Sequence, residues 1–258
     1  MIHTFEQREP QWPPGTAHGY YALTYGWLAG ELVRRVDPKK RTFGQFVRDE
    51  ITYPLQIEFY VGLPGEQEYR VPLIETQLNN TDIVDGIEIS QSSHFNDYRI
   101  HQAEIPATNG ITNARSIAQL YASLIGDLEH DKCKRFLNEE ILKQAIKSNT
   151  PNNEIDITFG TPINFGMGFL LYADMITSLG SDIFGHSGNV IQYYVVHAQS
   201  FCLLLGLGGS IGFAAPENNF SFAYVINRMN IDEQISIDAR YKFLLNKISS
   251  KLNGNLKV

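Results

Sequence analysis

Serine and histidine stand side by side in Gly185-His-Ser-Gly-Asn189, a pairing that in other settings makes a hydroxyl nucleophilic. The tight strand-to-helix turn that holds such a serine needs glycine where Asn189 sits, so the run falls one residue short. Gly206-Leu-Gly-Gly-Ser-Ile-Gly212 has Ile211 where a dinucleotide fingerprint needs its third glycine, and it continues into Phe-Ala-Ala-Pro rather than into a helix. No two histidines have zinc-ligand spacing. Tyr20, beside Tyr21 at a helix start, reads by itself as a core or capping aromatic. His186 alone reads equally as a strand histidine or as a site residue. Ser187 invites the role of nucleophile, but its strand setting argues for substrate contact. Asn109 either lines a site or caps its loop, and the residue itself leaves both open. Arg115 and the acidic run near Asp232 read as solvated surface.

The elements that must carry these residues follow from periodicity. Pro10 to Thr16 is a proline-rich entry loop. Tyr21 to Val36 is predicted as a helix, with Leu23, Trp27, Gly30 and Val33 at near-helical spacing and Pro38 closing it. Thr42 caps a second helix running to about Ile51, and Gln56 to Val61 alternates enough for a short strand. Residues 64–104 are polar, without a sustained period, and read as a long surface excursion. Thr112 is expected to cap a helix whose Ile117, Leu120, Tyr121 and Leu124 form one apolar face, and Asn138 to Ser148 gives another. Strands are then expected at Gly166 to Tyr172, Ile183 to Ser187, Tyr193 to Leu205, Gly208 to Phe213 and Phe220 to Ile226. Pro216-Glu-Asn-Asn219 makes a turn, and an amphipathic helix from about Asp232 to Leu252 closes the chain. Helices followed by an antiparallel meander and a closing helix indicate an α+β layer fold rather than a βαβ repeat.

The 258 residues, 43% of them hydrophobic, are enough for one large core. A net charge of −7 with no basic run excludes nucleic acid and anionic membrane as partners, both of which need clustered Lys and Arg. Cys133 and Cys202 make neither a disulfide framework nor a metal pattern, so a reducing compartment and a cytoplasmic location are the default expectation. Met1 to Pro10 lacks a cationic region followed by an apolar one and does not read as a secretion signal. Val190 to Ala215 carries no Asp, Glu, Lys or Arg and is long enough to span a bilayer. Its Gln192, His197, Gln199, Ser200 and glycines would be costly in lipid, and its Val, Ile, Tyr and Phe favour buried strands.

Four runs in order carry a family resemblance. They are Pro14-Gly-Thr-Ala-His-Gly-Tyr20 with its following helix, Ile105-Pro-Ala-Thr-Asn-Gly-Ile-Thr-Asn-Ala-Arg-Ser-Ile-Ala-Gln-Leu-Tyr121, Phe184-Gly-His-Ser-Gly188, and Leu207-Gly-Gly-Ser-Ile-Gly-Phe-Ala-Ala-Pro216 with the strand leading to Arg228. Together they resemble the class C β-lactamase-related and penicillin-binding-protein-like serine hydrolases, especially the esterase-like branch. The resemblance implies a β-lactamase/transpeptidase-like α+β fold, an antiparallel sheet flanked by helices, over residues 1–258 as one partial domain. It also implies acyl transfer through a serine of a Ser-x-x-Lys pair, with a small ester or amide as substrate and no metal or organic cofactor. By motif match Tyr20 takes the catalytic tyrosine position. His186 takes the cationic or hydrogen-bonding position of the third motif, with Ser187 and Asn109 in the substrate region. Gly188 lets the strand approach the substrate, and the residue after it supplies one oxyanion-hole N–H. His-Ser-Gly in place of Lys-Thr-Gly favours ester or peptide substrates over antibiotics, and Ala22 two residues after the tyrosine suits the esterase-like branch.

The sequence departs from this pattern twice. No serine in residues 1–258 is followed by lysine at the third position, which reads as a missing N-terminal segment and predicts a chain inactive by itself. The rival expectation is a pseudoenzyme, a non-catalytic binding or assembly module on the same fold. Second, the resemblance expects Gly188 to be followed directly by Leu207, whereas Asn189 to Gly206 intervenes, eighteen residues. Gly188-Asn189 can be encoded by GGTAAT and Leu205-Gly206 can carry a terminal TAG, so residues 189–206 read as a non-family insert, a retained intron or gene-model error. A real strand-loop insertion is the alternative. Lacking a segment of its central sheet, the chain is expected to expose an edge near Phe220 to Ile226 and to be poorly soluble.

Overall fold

The computed structural model describes residues 2–21, 24–75, 83–84, 87–88, 95–128, 134–151, 153–158, 160–188, 209–228 and 238–255. The stretch 189–206, the predicted strand from Tyr193 to Leu205, Ala22 and both cysteines lie outside them. A short helix α1 (Ile2–Glu6) leads to α2 (Thr24–Val36), whose two interior glycines each cost helix stability, about 1 kcal/mol relative to alanine. Packing explains them. A Cβ on Gly26 would strike Ala107, and one on Gly30 would come to 3.1 Å of Pro106, so the loop carrying Asn109 lies hard against α2.

Thr42 caps the next helix as predicted, completing a capping box with Gln45. The helical run reaches further than Ile51: α3 (Phe43–Val47) passes through a π turn (Arg48–Thr52) into α4 (Tyr53–Leu55). The widened turn lets Tyr53 N–H bond to Arg48 O just before Pro54, whose ring removes the next donor. The expected strand before Val61 is reduced to β1 (Phe59–Tyr60). Residues 64–104 hold more regular structure than their polarity suggested: a 3₁₀ turn (Gly65–Arg70), a two-residue hairpin of β2 (Ile83–Val84) and β3 (Ile87–Glu88), and α5 (Tyr98–Gln102). His101 anchors part of it, with Nδ1 2.8 Å from Glu68 and Nε2 2.6 Å from Phe95 O.

β1 pairs with β4 (Ile111–Thr112), and this shifts the start of the following helix by one residue. Thr112 is a strand residue whose hydroxyl donates to Glu58 O at 2.8 Å, so the capping role passes to Asn113, which accepts from Ser116 N at 2.9 Å and opens α6 (Ala114–Ile125). Asn138 likewise caps α7 (Glu139–Ala145).

The meander is a four-stranded antiparallel sheet in the order β5 (Leu170–Leu171), β6 (Phe184–Gly188), β7 (Ser210–Ala215) and β8 (Phe220–Tyr224). The turn from Pro216 to Asn219 ends with Asn219 in the left-handed region at φ 44°. Alternation along the strands divides the core. Ile211, Phe213, Ala215, Phe222 and Tyr224 face Tyr241 and Leu245 of α8 (Ala239–Asn255). Phe184 and Ala214 face Tyr121 and Leu124 of α6 and Leu142 of α7. Phe184 and Phe213 are 0% exposed, and burying each is worth about 2–3 kcal/mol. Gly212 lies on the α6 face, where a Cβ would strike Ile117 and come to 2.8 Å of Tyr121, so glycine lets α6 press onto the sheet. β8 is the outer strand of the described sheet; beyond its end Glu75 bridges to Arg228. No helix among the described residues is long and apolar enough to cross a membrane, and Ser210 to Ala215, the end of the uncharged stretch, is strand β7.

Candidate active site

Tyr20 reaches its place on an extended segment pinned from two sides. Trp12 Nε1 donates to Ala17 O at 3.0 Å, and Ile157 N donates to His18 O at 3.0 Å. Gly19 fits between them because any Cβ would come to 3.0 Å of Thr158 and 3.1 Å of Trp12. Two other rings lie against the Tyr20 ring. Phe165 stacks with it, centroids 6.2 Å apart and planes 6° from parallel. His186 lies at 5.8 Å, tilted 33°. Withdrawal from water in this setting raises the Tyr20 phenol above its ordinary value.

His186 is brought there by β6. Its cross-strand partner is Gly212, and the absent side chain at that position admits Tyr121 of α6 beneath. The imidazole Nδ1 lies 2.6 Å from Ser187 O. Burial lowers the basicity of the ring, with the carbonyl bond opposing that in part. Tyr121 meets the backbone of His186 and is itself driven far above an ordinary phenol by burial.

Ser187 and His186 are neighbours in sequence but point to opposite faces of β6. Ser187 pairs across with Ile211, whose side chain belongs to the α8 face, and there it meets the buried Tyr172 phenol. Tyr172 Oη closes no hydrogen bond of normal geometry among the described residues. Gly188 ends the strand opposite Ser210 and is exposed. The residue after it, assigned the oxyanion N–H by motif, is outside the described residues. Asn109 is buried within its own loop: Oδ1 accepts from Ile105 N at 3.0 Å, and Nδ2 donates to Ile100 O and Ala103 O, both at 2.6 Å. Its amide is committed to the main chain, as a loop cap requires.

Three neighbours escaped the sequence reading. Phe165 carries no motif, and nothing in the sequence points to it. Gly212 was read as a strand residue, inside a failed nucleotide pattern and a family run, without a role at the site. His18 stands two residues before Tyr20, which in an extended segment puts both on one side; its Nδ1 lies 3.0 Å from Glu154, its Nε2 3.8 Å from the buried Asp156, and its ring meets Phe165 edge-on at 6.0 Å. No group of three or more His, Cys, Asp or Glu among the described residues is arranged to hold a metal ion.

Esterase/beta-lactamase LipL of Mycobacterium tuberculosis is 28% identical over 251 residues, covering 87% of this chain and 52% of the relative. Among solved structures, EstA from Arthrobacter nitroguajacolicus superposes with a TM-score of 0.78 at 23% identity, over 98% of this chain and 64% of its own. A penicillin-binding protein homolog from Caulobacter crescentus gives 0.69 at 27% identity, over 94% and 61%. A family VIII carboxylesterase gives 0.72 at 24%, over 95% and 61%. The chain thus spans about half the length of the curated relative and under two thirds of the solved ones. The family profile described as Beta-lactamase matches residues 1–247, and the chain belongs to that family, with its β-lactamase/transpeptidase-like fold.

Proposed function

We propose that these residues supply the tyrosine and third-strand half of a serine hydrolase site, which cleaves small esters or amides by acyl transfer. The observation that carries this is the Tyr20 ring in contact with Phe165 and with His186 of β6. In the reaction a serine Oγ bonds to the substrate carbonyl carbon and its proton passes to the tyrosine oxygen, which is ionised once the ammonium of the paired lysine stands beside it. Collapse of the adduct breaks the bond to the leaving alcohol or amine, which takes that proton. Water then repeats the sequence on the acyl-serine. The serine and its lysine come from a Ser-x-x-Lys pair outside residues 1–258. LipL is named an esterase as well as a β-lactamase, and His186 in place of a lysine inclines the reading toward esters. Tyr20 and His186 touch the reacting groups in this reading, Gly188 gives the substrate room, and Ser187 and Asn109 support the backbone around them.

The second reading, a non-catalytic binding or assembly module, is favoured by one observation: no serine in the 258 residues has lysine three positions on. The test is hydrolysis of p-nitrophenyl butyrate. The 258-residue chain is expected to show none above buffer and no labelling by a fluorophosphonate. Joined to an upstream segment bearing Ser-x-x-Lys, it is expected to do both, and Tyr20→Phe to remove turnover. A joined polypeptide that folds but neither hydrolyses nor labels would establish the binding-module reading instead.

A further inference from the structure

The bond from His186 Nδ1 decides more than where the ring sits. Its partner at 2.6 Å, Ser187 O, is a carbonyl and can only accept, so Nδ1 carries the hydrogen. In the neutral ring the lone pair is then on Nε2. We propose that His186 is a neutral Nδ1–H imidazole whose Nε2 acts as a hydrogen-bond acceptor, so that the site selects uncharged or donor-bearing substrates and rejects those carrying a carboxylate there. This rests on the hydrolase reading and adds a substrate class to it.

The groups around the ring point the same way. Tyr20 faces it from the entry segment and Tyr121 from α6, and burial keeps both phenols protonated. Gly212 opposite contributes no side chain. His18, whose ring meets Phe165 edge-on, lies 3.0 Å from Glu154 and 3.8 Å from the fully buried Asp156. The Nε2 lone pair repels an anion, where an ammonium group at position 186 would attract it. His186 is by this account a specificity-determining residue.

Nitrogen-15 correlation spectra of the labelled 258-residue chain read the ring directly. The chain has seven histidines, and His186→Gln identifies the signals that vanish. The expected pattern is an Nδ1-protonated neutral ring at pH 7 whose protonation falls below the ordinary histidine value of 6.5. An Nε2-protonated tautomer, or a doubly protonated ring at pH 7, overturns the proposal whether or not any form of the protein turns over. In the joined polypeptide, p-nitrophenyl butyrate is expected to exceed its carboxylate-bearing analogue p-nitrophenyl hemisuccinate by tenfold or more in kcat/KM, and His186→Lys to shrink that ratio at least tenfold. A ratio near one in an active enzyme overturns the selectivity. Inactivity of the joined polypeptide would instead count against the hydrolase reading, and the spectra would still decide the charge of His186.

Discussion

The β6–β7 register makes a quantitative prediction about residues 189–206. Gly188 pairs with Ser210, so removing those eighteen residues leaves Leu207, Gly208 and Gly209 to join the two strands. Three-residue hairpin loops commonly end in a left-handed residue, and Gly209 has φ +70°. It is also held there from outside, since a Cβ at Gly209 would come to 2.5 Å of Asp238 and strike Arg240. The strand ends are therefore already set for the short connection. Closing the same two ends with three residues instead of twenty-one saves about 1.7 kcal/mol from the logarithmic dependence on loop length. For a chain of this size that corresponds to a rise in Tm of about 3–7 °C. The measurement is thermal unfolding by circular dichroism of the parent, the deletion, and a variant with 189–206 replaced by eighteen Gly and Ser residues. The deletion should melt higher and the replacement close to the parent. If both variants melt lower or lose cooperativity, residues 189–206 contribute native contacts, and the reading of them as an insert is wrong.

Three other substitutions probe the frame of the site. Gly212→Val forces a branched side chain into Ile117 and Tyr121, and overpacking should cost about 1–3 kcal/mol, seen as a lower urea midpoint with an unchanged slope. Asn109→Ala strands Ile105 N and two carbonyls inside the loop and should cost about 2–4 kcal/mol; an unchanged midpoint would return Asn109 to a purely substrate-facing role. Asp37 is held well below the usual carboxylate range, first by the side-chain hydrogen bond from Arg41 and further by main-chain N–H groups. A depressed carboxylate stabilises the fold above its unfolded value near 3.8 and ceases to as pH falls through its folded value. The stability gap between parent and Asp37→Asn should accordingly be full at pH 7 and close below about pH 4; a gap constant down to pH 2 would exclude that ion pair as its source.

How far the sequence reached depended on how local the signal was. Thr42, Asn138 and the Pro216 turn were readable because a cap or a turn is written within four residues. Thr112 was assigned the capping role one residue early because nothing local shows that it belongs to a two-residue strand paired to Phe59, more than fifty residues away. Residues 64–104 looked featureless for the same reason, since His101 acquires its role only from Glu68 and Phe95 across the fold. Tyr20 and His186 are singled out by motif order, and the contact between their rings is a tertiary fact no spacing could give. The opposite facing of His186 and Ser187 was available from strand alternation alone. It went unused because the motif groups the two as one unit.

The chemistry of Tyr20 turns on what surrounds it. A phenol becomes a base at neutral pH only when its phenolate is stabilised, and among the described residues the rings against Tyr20 are an apolar phenyl and an imidazole whose basicity is lowered. That environment favours the neutral phenol, so in this chain Tyr20 should ionise above the ordinary value of 10.0. A raised phenol contributes stability that is complete below the unfolded value and is lost as pH rises through the folded one, so its signature is an added sensitivity to alkali above pH 10. Absorbance titration of the parent minus Tyr20→Phe isolates this one phenol among thirteen. The same titration after joining a Ser-x-x-Lys segment should move it downward by more than one unit, because serine and lysine three residues apart share a helix face and the ammonium arrives with the nucleophile. A Tyr20 that already ionises below 10 in the chain alone would mean that a cation reaches it from these 258 residues. The tyrosine would then not depend on the lysine, and the case for a divided site would fail.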